Sequence, residues 1–350
     1  MLKIGIIGAG AISECHIESY IKNPEVKLCA ICDVNENTAK LRAEKYSISK
    51  YYSDYKDILD DESIDAVSIV TPTFTHKNIV IEALKKGKHV LCEKPPAMNY
   101  EEALECEKTA KETGKILMYA FVVRFSKEVK FMKEYIDSGK MGEIYYAEAS
   151  RINRCNKIGG WFINKDKAGG GALIDGAIHE IDTALYLMGY PKATSVKGFT
   201  SQINENLPDI AKGTGAGWIS SDVNSYERTV ESLASGYVHF DNGACLYVKA
   251  SWVLNTIKEG RNVELNGTKA GLQYNGAKID MIELSDTGYF METSPQLNDT
   301  VDLFDGEINH FVGCCLGKEE LICTPEQGTE IMKIISGIYE SARTGKEVIF

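Results

Sequence analysis

The first ten residues constrain the fold more than any other stretch of the chain. The apolar run Lys3–Ile7 leads directly into Gly8-Ala9-Gly10, and a segment of helical character begins at Ala11. Glycine permits a tight turn after a strand, and the N-terminus of a following helix offers backbone N–H groups and a positive dipole end. The order of strand, glycine turn and helix therefore predicts a βαβ unit that binds a dinucleotide pyrophosphate.

The end of the next apolar run supports this interpretation. Ser13 stands in place of the third glycine of the motif, and about twenty residues later the run Val26–Cys32 ends at Asp33. A carboxylate there accepts hydrogen bonds from the adenosine ribose hydroxyls and repels a 2′-phosphate, and Val34 and Asn35 add no arginine that could clamp one. NAD is therefore the expected cofactor, with NADP as the weaker alternative. The predicted contacts at this end of the cofactor are Gly8, Gly10, Ala11, Ile12 and Asp33.

The chain divides into two patterns. Up to residue 122, short apolar runs alternate with amphipathic segments, which predicts a doubly wound parallel sheet covered by helices. Capping residues predict helices after Asn99, with Glu102 as its partner, and after Thr324, with Gln327. The predicted strands of the first region are Lys3–Ile7, Val26–Cys32, Ala66–Val70, His89–Leu91 and Ile116–Tyr119.

In residues 123–324 strands follow one another without a helix between each pair, and Asp241-Asn242-Gly243 predicts a hairpin turn. We expect an α+β domain with a large, mostly antiparallel open sheet. The stretch Ser201–Ser225 lacks periodicity, and a pocket-forming loop and an inert surface loop are equally compatible with it. The predicted strands of this region are Ile144–Arg151, Glu231–Phe240, Ala244–Trp252 and Asn262–Asn266.

Composition excludes several classes of function. The net charge of −11 and the lack of a basic run argue against nucleic acid binding. The apolar segment Leu2–Ile12 is interpreted as a strand and not a signal peptide, and no apolar stretch approaches the ~20 residues that cross a bilayer. The ten cysteines show no pattern typical of a disulfide framework, which favours reduced thiols and a cytoplasmic protein.

Two loops at strand ends carry chemistry. Thr71 and Pro72 follow the strand Ala66–Val70, and we place both, with His76, among the cofactor contacts, against the alternative of simple turn and capping residues. The strand His89–Leu91 runs into Cys92-Glu93-Lys94-Pro95-Pro96. An ammonium at this sheet edge can hydrogen-bond a reacting oxygen, so Glu93 is a candidate cofactor contact and Lys94 a candidate for both cofactor and substrate. The alternative is a solvated loop.

A second candidate cluster follows Gly169-Gly170-Gly171, which we interpret as a flexible start to a helix. Asp175 and His179 are four residues apart and share one helix face, with Asp182 three residues further along. This spacing suits a proton relay in which a carboxylate orients His179. A structural His179–Asp182 pair remains an alternative, and no metal is expected because hydride transfer to nicotinamide needs none.

Together these motifs resemble the glucose-fructose oxidoreductase, inositol dehydrogenase and rhizopine catabolism family (Gfo/Idh/MocA) over nearly the whole chain. The resemblance is carried by GIIGAGAIS, Thr71-Pro72-Thr73, Glu93-Lys94-Pro95, the Gly-rich segment with Asp175 and His179, and Thr324-Pro325-Glu326. It implies that Lys94, Asp175 and His179 are catalytic in one pocket beside the nicotinamide. It also implies that residues of about 325–350 complete the Rossmann domain and that the protein is a homo-oligomer, a dimer or a tetramer.

The expected activity is hydride transfer between a nicotinamide cofactor and a secondary hydroxyl or ketone of a sugar, inositol or glycoside, a small polyhydroxylated partner. Trp161 lies in a Gly160-Trp161-Phe162 segment that resembles a substrate loop of sugar-oxidising members, although a core or interface aromatic explains it equally well. Two other functions stay open, a reductase of C=C or C=N bonds and a non-catalytic NAD-binding regulator. The intact set of Lys94, Asp175 and His179 favours alcohol chemistry.

Overall fold

The computed structural model describes residues 1–156, 158–202, 228–298 and 302–350. The chain forms two compact units. The first consists of Met1–Val122 and Asp302–Met332, and the second of Val123–Val301 and Lys333–Phe350.

The N-terminal part of the first unit alternates strands and helices as the apolar pattern predicts. Its elements are β1 (Leu2–Ile7), α1 (Ala11–Lys22), β2 (Val26–Cys32), α2 (Glu36–Tyr46), β3 (Lys50–Tyr52), α3 (Tyr55–Asp60), β4 (Ala66–Ile69), α4 (His76–Lys85), β5 (His89–Glu93), α5 (Tyr100–Thr113) and β6 (Leu117–Ala120).

The six strands form one parallel sheet in the order β3-β2-β1-β4-β5-β6. Strand order therefore reverses between β1 and β4, and a doubly wound sheet binds its ligand beside the carboxyl ends of the strands at such a point. Strands β4 and β6 are buried throughout, as expected for a parallel sheet with helices on both faces. The prediction of a doubly wound parallel sheet is confirmed.

The second unit contains long strands and few helices. Its elements before residue 302 are α6 (Lys127–Asp137), β7 (Ile144–Ile152), α7 (Lys165–Ala168), α8 (Ile178–Leu187), β8 (Ala193–Ser201), β9 (Leu233–Phe240), β10 (Cys245–Ser251), β11 (Gly260–Gly267), β12 (Ala270–Tyr274), β13 (Ile279–Leu284) and β14 (Phe290–Thr293). The predicted turn between β9 and β10 is present, with Gly243 at a φ of 84°.

The last elements of the chain are α9 (Leu303–Cys315), α10 (Pro325–Thr344) and β15 (Val348–Ile349). The nine-stranded sheet of the second unit has the order β14-β13-β12-β11-β7-β10-β9-β8-β15. Its neighbours pair antiparallel except for β7 and β10, which are parallel. The mostly antiparallel open sheet is therefore confirmed.

The two ends of the C-terminal segment belong to different units. Helix α9 packs on α1, where Asp305 accepts hydrogen bonds from Lys22 at 2.8 and 3.0 Å, so residues 302–332 lie with the first unit. Strand β15 pairs with β8, and the Ser341 hydroxyl accepts the Gly198 N–H at 2.9 Å, so residues 333–350 lie with the second unit. The sequence assigns residues of about 325–350 to the first domain and 302–324 to the second; the two units agree with this for 325–332 and differ from it for 302–324 and 333–350.

Ser201 ends β8, and residues 203–225 of the aperiodic stretch lie outside the described residues. None of the helices in the described parts of the chain is both long and apolar enough to cross a membrane.

Candidate active site

The glycine turn between β1 and α1 has two positions with different requirements. Gly8 has a φ of 104°, and a Cβ there would lie 2.5 Å from the Val70 carbonyl oxygen. Gly10, the N-cap of α1, has a φ of −67°, and a Cβ there would meet nothing within 4 Å. Gly8 is therefore required by the turn itself, whereas Gly10 keeps open the space in front of the helix N-terminus. That space and the backbone N–H groups of the first turn, which include those of Ala11 and Ile12, fit a dinucleotide pyrophosphate.

Asp33 follows β2 and fixes this turn. One carboxylate oxygen accepts the Ala9 N–H and the other accepts the Asn35 N–H, each at 2.9 Å. Each oxygen keeps a lone pair for a ribose hydroxyl, so Asp33 can accept hydrogen bonds from an adenosine ribose.

Arg42 on α2 was missed in the sequence analysis. Its guanidinium donates to the Ala9 carbonyl at 3.2 Å and pairs with the Glu14 carboxylate. Its contacts hold the turn.

The loop after β4 is built from hydroxyls and one buried histidine. The Thr71 and Thr75 hydroxyls are 2.7 Å apart, and the Thr75 N–H donates to the Pro72 carbonyl at 3.0 Å. His76 is 1% exposed, with Nε2 at 2.8 Å from the Thr71 carbonyl and Nδ1 at 2.9 Å from the Pro95 carbonyl. Burial lowers the pKa of His76, although both carbonyls favour its charged form. The described contacts of His76 are with backbone, and contact with a cofactor stays a prediction.

The Glu-Lys-Pro segment lies at the end of β5. Glu93 is the last residue of the strand, and its Oε2 accepts the Lys94 N–H at 3.2 Å while its Oε1 lies 3.0 Å from Nε2 of His16. Lys94 follows directly and is partly exposed. Because β1, β2, β4 and β5 run parallel in one sheet, their carboxyl ends share one edge. The first unit therefore places the following residues along that edge, in the strand ends and the loops that follow them: Gly8, Gly10, Asp33, Thr71, Pro72, Glu93 and Lys94.

In the second unit, two of the three glycines before the predicted catalytic pair, Gly170 and Gly171, are closely packed. A Cβ on Gly170 would collide with the Tyr339 side chain, and a Cβ on Gly171 would collide with the Glu231 carbonyl. Glycine is needed at both positions for this close approach. The expectation of a flexible segment is wrong at Gly170 and Gly171 because the space of each side chain is already filled.

Glu231 anchors this segment. Its carboxylate accepts the Gly171 N–H at 2.8 Å, the Leu173 N–H at 3.1 Å and the Tyr339 hydroxyl at 2.9 Å. Burial raises the pKa of Glu231, and these three donors partly oppose that effect. The Gly171 carbonyl in turn accepts the Asp175 N–H at 3.0 Å. Glu231 lies sixty residues from Gly171 in the chain, so no local pattern indicated it.

Asp175 and His179 do not lie in one continuous α-helix. Leu173–Ala177 forms a π-helical turn that contains Asp175, and α8 begins at Ile178, so His179 is its second residue. Both side chains belong to partly exposed residues. The sequence predicted a regular helix here because the apolar spacing does not distinguish a π turn from an α turn. Single π turns recur at functional sites.

Asp182 has a structural role. Its carboxylate accepts a hydrogen bond from Arg124 Nε at 2.9 Å, a second from Arg124 Nη2, and one from the Tyr190 hydroxyl at 2.6 Å. Arg124 and Asp182 are each about 1% exposed, and a buried guanidinium requires a carboxylate partner. The interpretation that pairs Asp182 with His179 is therefore replaced by an Asp182–Arg124–Tyr190 cluster.

Trp161 lies in a 3₁₀ turn, Gly160–Ile163, and is partly exposed. Its ring stacks on Phe162 with centroids 3.9 Å apart and an interplanar angle of 22°. This contact neither requires nor excludes the predicted role in substrate binding. In the described parts of the chain, no group of three or more His, Cys, Asp or Glu side chains has the arrangement of a metal site.

Comparison with known proteins agrees with this fold. A family model described as "Oxidoreductase family, NAD-binding Rossmann fold" matches residues 2–121, and its companion, "Oxidoreductase family, C-terminal alpha/beta domain", matches residues 133–350. A solved levoglucosan dehydrogenase in complex with NADH and levoglucosan superposes with a TM-score of 0.86 over 99% of both chains. At 24% identity, that structure shows likeness of fold alone.

Two relatives match along almost their full length. The chain is 33% identical to D-glucoside 3-dehydrogenase of Escherichia coli (strain K12), over 99% of this chain and 97% of the relative. It is 28% identical to scyllo-inositol 2-dehydrogenase (NAD(+)) of Bacillus subtilis (strain 168), over 99% of this chain and 96% of the relative. The chain therefore belongs to the Gfo/Idh/MocA family of oxidoreductases, with an NAD-binding Rossmann domain.

Proposed function

We propose that the protein is an NAD-dependent dehydrogenase that transfers a hydride between nicotinamide and a secondary hydroxyl or ketone of a sugar, inositol or glycoside. The relatives named above act on a glucoside and an inositol, and these substrates share secondary hydroxyls on a ring. The observation that carries the proposal is the position of Lys94. It directly follows β5, at the same edge of the sheet as the glycine turn and Asp33.

Each candidate side chain has a defined chemical task. The Lys94 ammonium hydrogen-bonds the reacting oxygen and stabilises the negative charge that develops there. A ring nitrogen of His179 accepts the hydroxyl proton in the oxidative direction, and Asp175 orients that ring. When bound, the nicotinamide supplies the hydride acceptor. Trp161 packs its ring on the apolar face of the substrate.

Preference for NAD follows from Asp33. Its carboxylate is held in place by the Ala9 and Asn35 N–H groups, so it cannot readily turn away from an adenosine 2′-phosphate. A phosphate there would meet a fixed negative charge, whereas ribose hydroxyls meet acceptors. Arg42 does not offset this charge, because its guanidinium already pairs with Glu14.

The function is tested with a panel of free sugars, inositols and glycosides, each assayed with NAD and with NADP by the absorbance of the reduced cofactor. The proposal predicts turnover on at least one ring polyol, with NAD favoured. Tight NADH binding without turnover on any member of the panel contradicts a dehydrogenase and favours a regulatory protein. The homo-oligomeric state and the cytoplasmic location stay predictions.

A further inference from the structure

Lys94 lies between two residues that each contact a buried histidine. Glu93, on its N-terminal side, lies against His16, and Pro95, on its C-terminal side, lies against His76. The two histidines are 0% and 1% exposed. Neither ring reaches solvent, so their contacts are with protein groups that either support the loop or pack around it.

His16 belongs to a chain of hydrogen bonds that ends at the backbone of Lys94. An ionised Glu93 only accepts, so Nε2 of His16 donates to its Oε1 at 3.0 Å. With the ring neutral, Nδ1 accepts from the Ser68 hydroxyl at 3.2 Å, and Ser68 accepts from the Tyr20 hydroxyl at 2.9 Å. The Lys94 N–H completes the chain at Oε2 of Glu93. Each group in this chain has a partner of the matching kind.

His76 holds the other side of the loop. Pro95 and Pro96 have no backbone N–H, so the segment after Lys94 can be fixed by hydrogen bonds only through its carbonyl groups. Nδ1 of His76 lies 2.9 Å from the Pro95 carbonyl, and Nε2 lies 2.8 Å from the Thr71 carbonyl. The ring therefore lies between the loop after β5 and the loop after β4, and it donates to one of the two carbonyls when neutral and to both when charged.

The two histidines reach the same neighbouring strand. Ser68, the partner of His16, lies within β4, and Thr71, a partner of His76, follows β4 by two residues. The backbone on both sides of Lys94 is thus tied to β4, beside the point where the strand order reverses. A packed strand is a more rigid support for a reacting group than a loop is.

We propose that His16 and His76 are positioning residues that fix the backbone of Lys94 from its two sides, His16 through the Glu93 carboxylate and His76 through the Pro95 carbonyl. The inference rests on the proposed function, in which the Lys94 ammonium must meet the reacting oxygen. Neither histidine takes part in proton transfer to the substrate. A displacement of about 1 Å in such a group lowers turnover by roughly 100-fold.

The test measures the loop without any substrate. Hydrogen–deuterium exchange is followed in the peptide covering residues 92–98, whose Pro95 and Pro96 contribute no amide. His16→Leu and His76→Leu remove each contact, and His16→Gln keeps a donor close to the position of Nε2. His89→Gln is the matched control, because His89 lies at the opposite end of β5 and its Nδ1 accepts the Ile116 N–H at 3.1 Å.

We expect amide exchange in this peptide to be roughly tenfold faster in both leucine variants, close to wild type in His16→Gln, and unchanged in His89→Gln. We also expect kcat to fall about 100-fold in the leucine variants, with the Kd for NADH within about twofold of wild type in His16→Leu. Wild-type exchange in folded His16→Leu and His76→Leu overturns the proposal. So does faster exchange with unchanged kcat.

Should a leucine variant fail to fold, Glu93→Ala provides a second route. An alanine offers no acceptor to His16 or to the Lys94 N–H, so the peptide must exchange faster if the chain of contacts fixes the loop. Wild-type exchange in Glu93→Ala contradicts the proposal. The exchange measurements stand even when no substrate is found, so failure of the proposed function and failure of this inference are distinguishable.

Discussion

The carboxylate of Glu231 accepts the backbone N–H of Gly171, with 2.8 Å between Oε2 and nitrogen. Its other oxygen accepts the Leu173 N–H at 3.1 Å, at the start of the π-helical turn that contains Asp175. A single buried carboxylate thus sets the backbone from which both Asp175 and His179 project. The position of the candidate acid and base depends on a residue outside their own helix.

Replacing Glu231 with glutamine is expected to disturb this arrangement. A glutamine has one acceptor oxygen, so its NH₂ group must face one of the two backbone N–H groups that the carboxylate now accepts. The free energy of unfolding should fall by about 1–3 kcal/mol, the cost of a buried unsatisfied donor. Turnover should fall at least tenfold, and NADH binding should be retained. Urea unfolding measures the change in stability, steady-state kinetics measure turnover, and fluorescence titration measures NADH binding.

Tyr339→Phe is the control for this substitution. It removes the hydroxyl that donates to Glu231 at 2.9 Å and leaves both backbone contacts in place. We expect the free energy of unfolding to fall by about 1 kcal/mol, and turnover to change much less than in Glu231→Gln. Wild-type turnover in Glu231→Gln would show that the glycine segment is positioned by other contacts.

Alanine substitutions at the two glycines of the first turn should differ in their effect on stability. Both variants should bind NADH less tightly, but only Gly8→Ala should also be less stable. In Gly8→Ala, a Cβ in a left-handed conformation meets the Val70 carbonyl oxygen at 2.5 Å, so both stability and NADH binding should fall. In Gly10→Ala, the Cβ meets no protein atom within 4 Å, so the melting temperature should stay within about 1–2 °C of wild type while the NADH affinity falls at least tenfold. Thermal unfolding and NADH titration measure the two effects. Unchanged affinity in Gly10→Ala would mean that the pyrophosphate does not bind in front of α1.

Cofactor preference is expected to depend on Asp33. Asp33→Ser should lower kcat/KM for NAD and raise the ratio of NADP to NAD at least tenfold, because the fixed negative charge is removed. Asp65→Asn is a suitable control. Asp65 also accepts a backbone N–H, that of Lys3 at 2.9 Å, but it precedes β4, at the opposite edge of the sheet. If the ratio of NADP to NAD activity is unchanged in Asp33→Ser, residues other than Asp33 discriminate between the two cofactors.

Acid should destabilise the protein through two histidines, of which His76 is buried and His89 is half-buried. Burial lowers the pKa values of His76 and His89 below the ordinary value of 6.5, so below pH 6.5 the unfolded chain takes up protons that the folded chain does not. The free energy of unfolding is therefore expected to fall as the pH drops from 6.5 through the folded pKa values. Urea unfolding from pH 7.5 to 5 measures this slope. The free energy of unfolding should depend less steeply on pH in His89→Gln than in the wild type. An equal pH dependence in the two proteins would mean that His89 does not contribute to the effect.

Local patterns predicted the elements whose causes are local. The prediction of a turn at Gly8 and Gly10 is confirmed, because the strand, the turn and the helix are adjacent in the chain. Asn99 accepts the Glu102 N–H at 2.9 Å, and Thr324 and Gln327 cap each other in both directions, as their spacing indicated. Pairs three residues apart determine such caps, so the sequence displays them directly.

Contacts between distant residues were not predictable in the same way. Glu93 and His16 are 77 residues apart, and only the pairing of neighbouring strands and their helices brings them within 3.0 Å. Strands β3 and β14 were missed because they are an edge strand of three residues and a strand exposed along its length, and neither shows an apolar alternation. Arg124 gave no signal either, since its burial depends on a carboxylate 58 residues away.

Lys94→Ala tests the central claim most directly, with single-turnover hydride transfer measured at saturating NAD and substrate and NADH affinity measured separately. The claim that the Lys94 ammonium stabilises the reacting oxygen predicts a fall in the hydride-transfer rate of at least about 1,000-fold. The Kd for NADH should stay within about threefold of wild type, because the glycine turn and Asp33 are untouched. A transfer rate within tenfold of wild type would contradict the assigned role of Lys94 and the mechanism built on it.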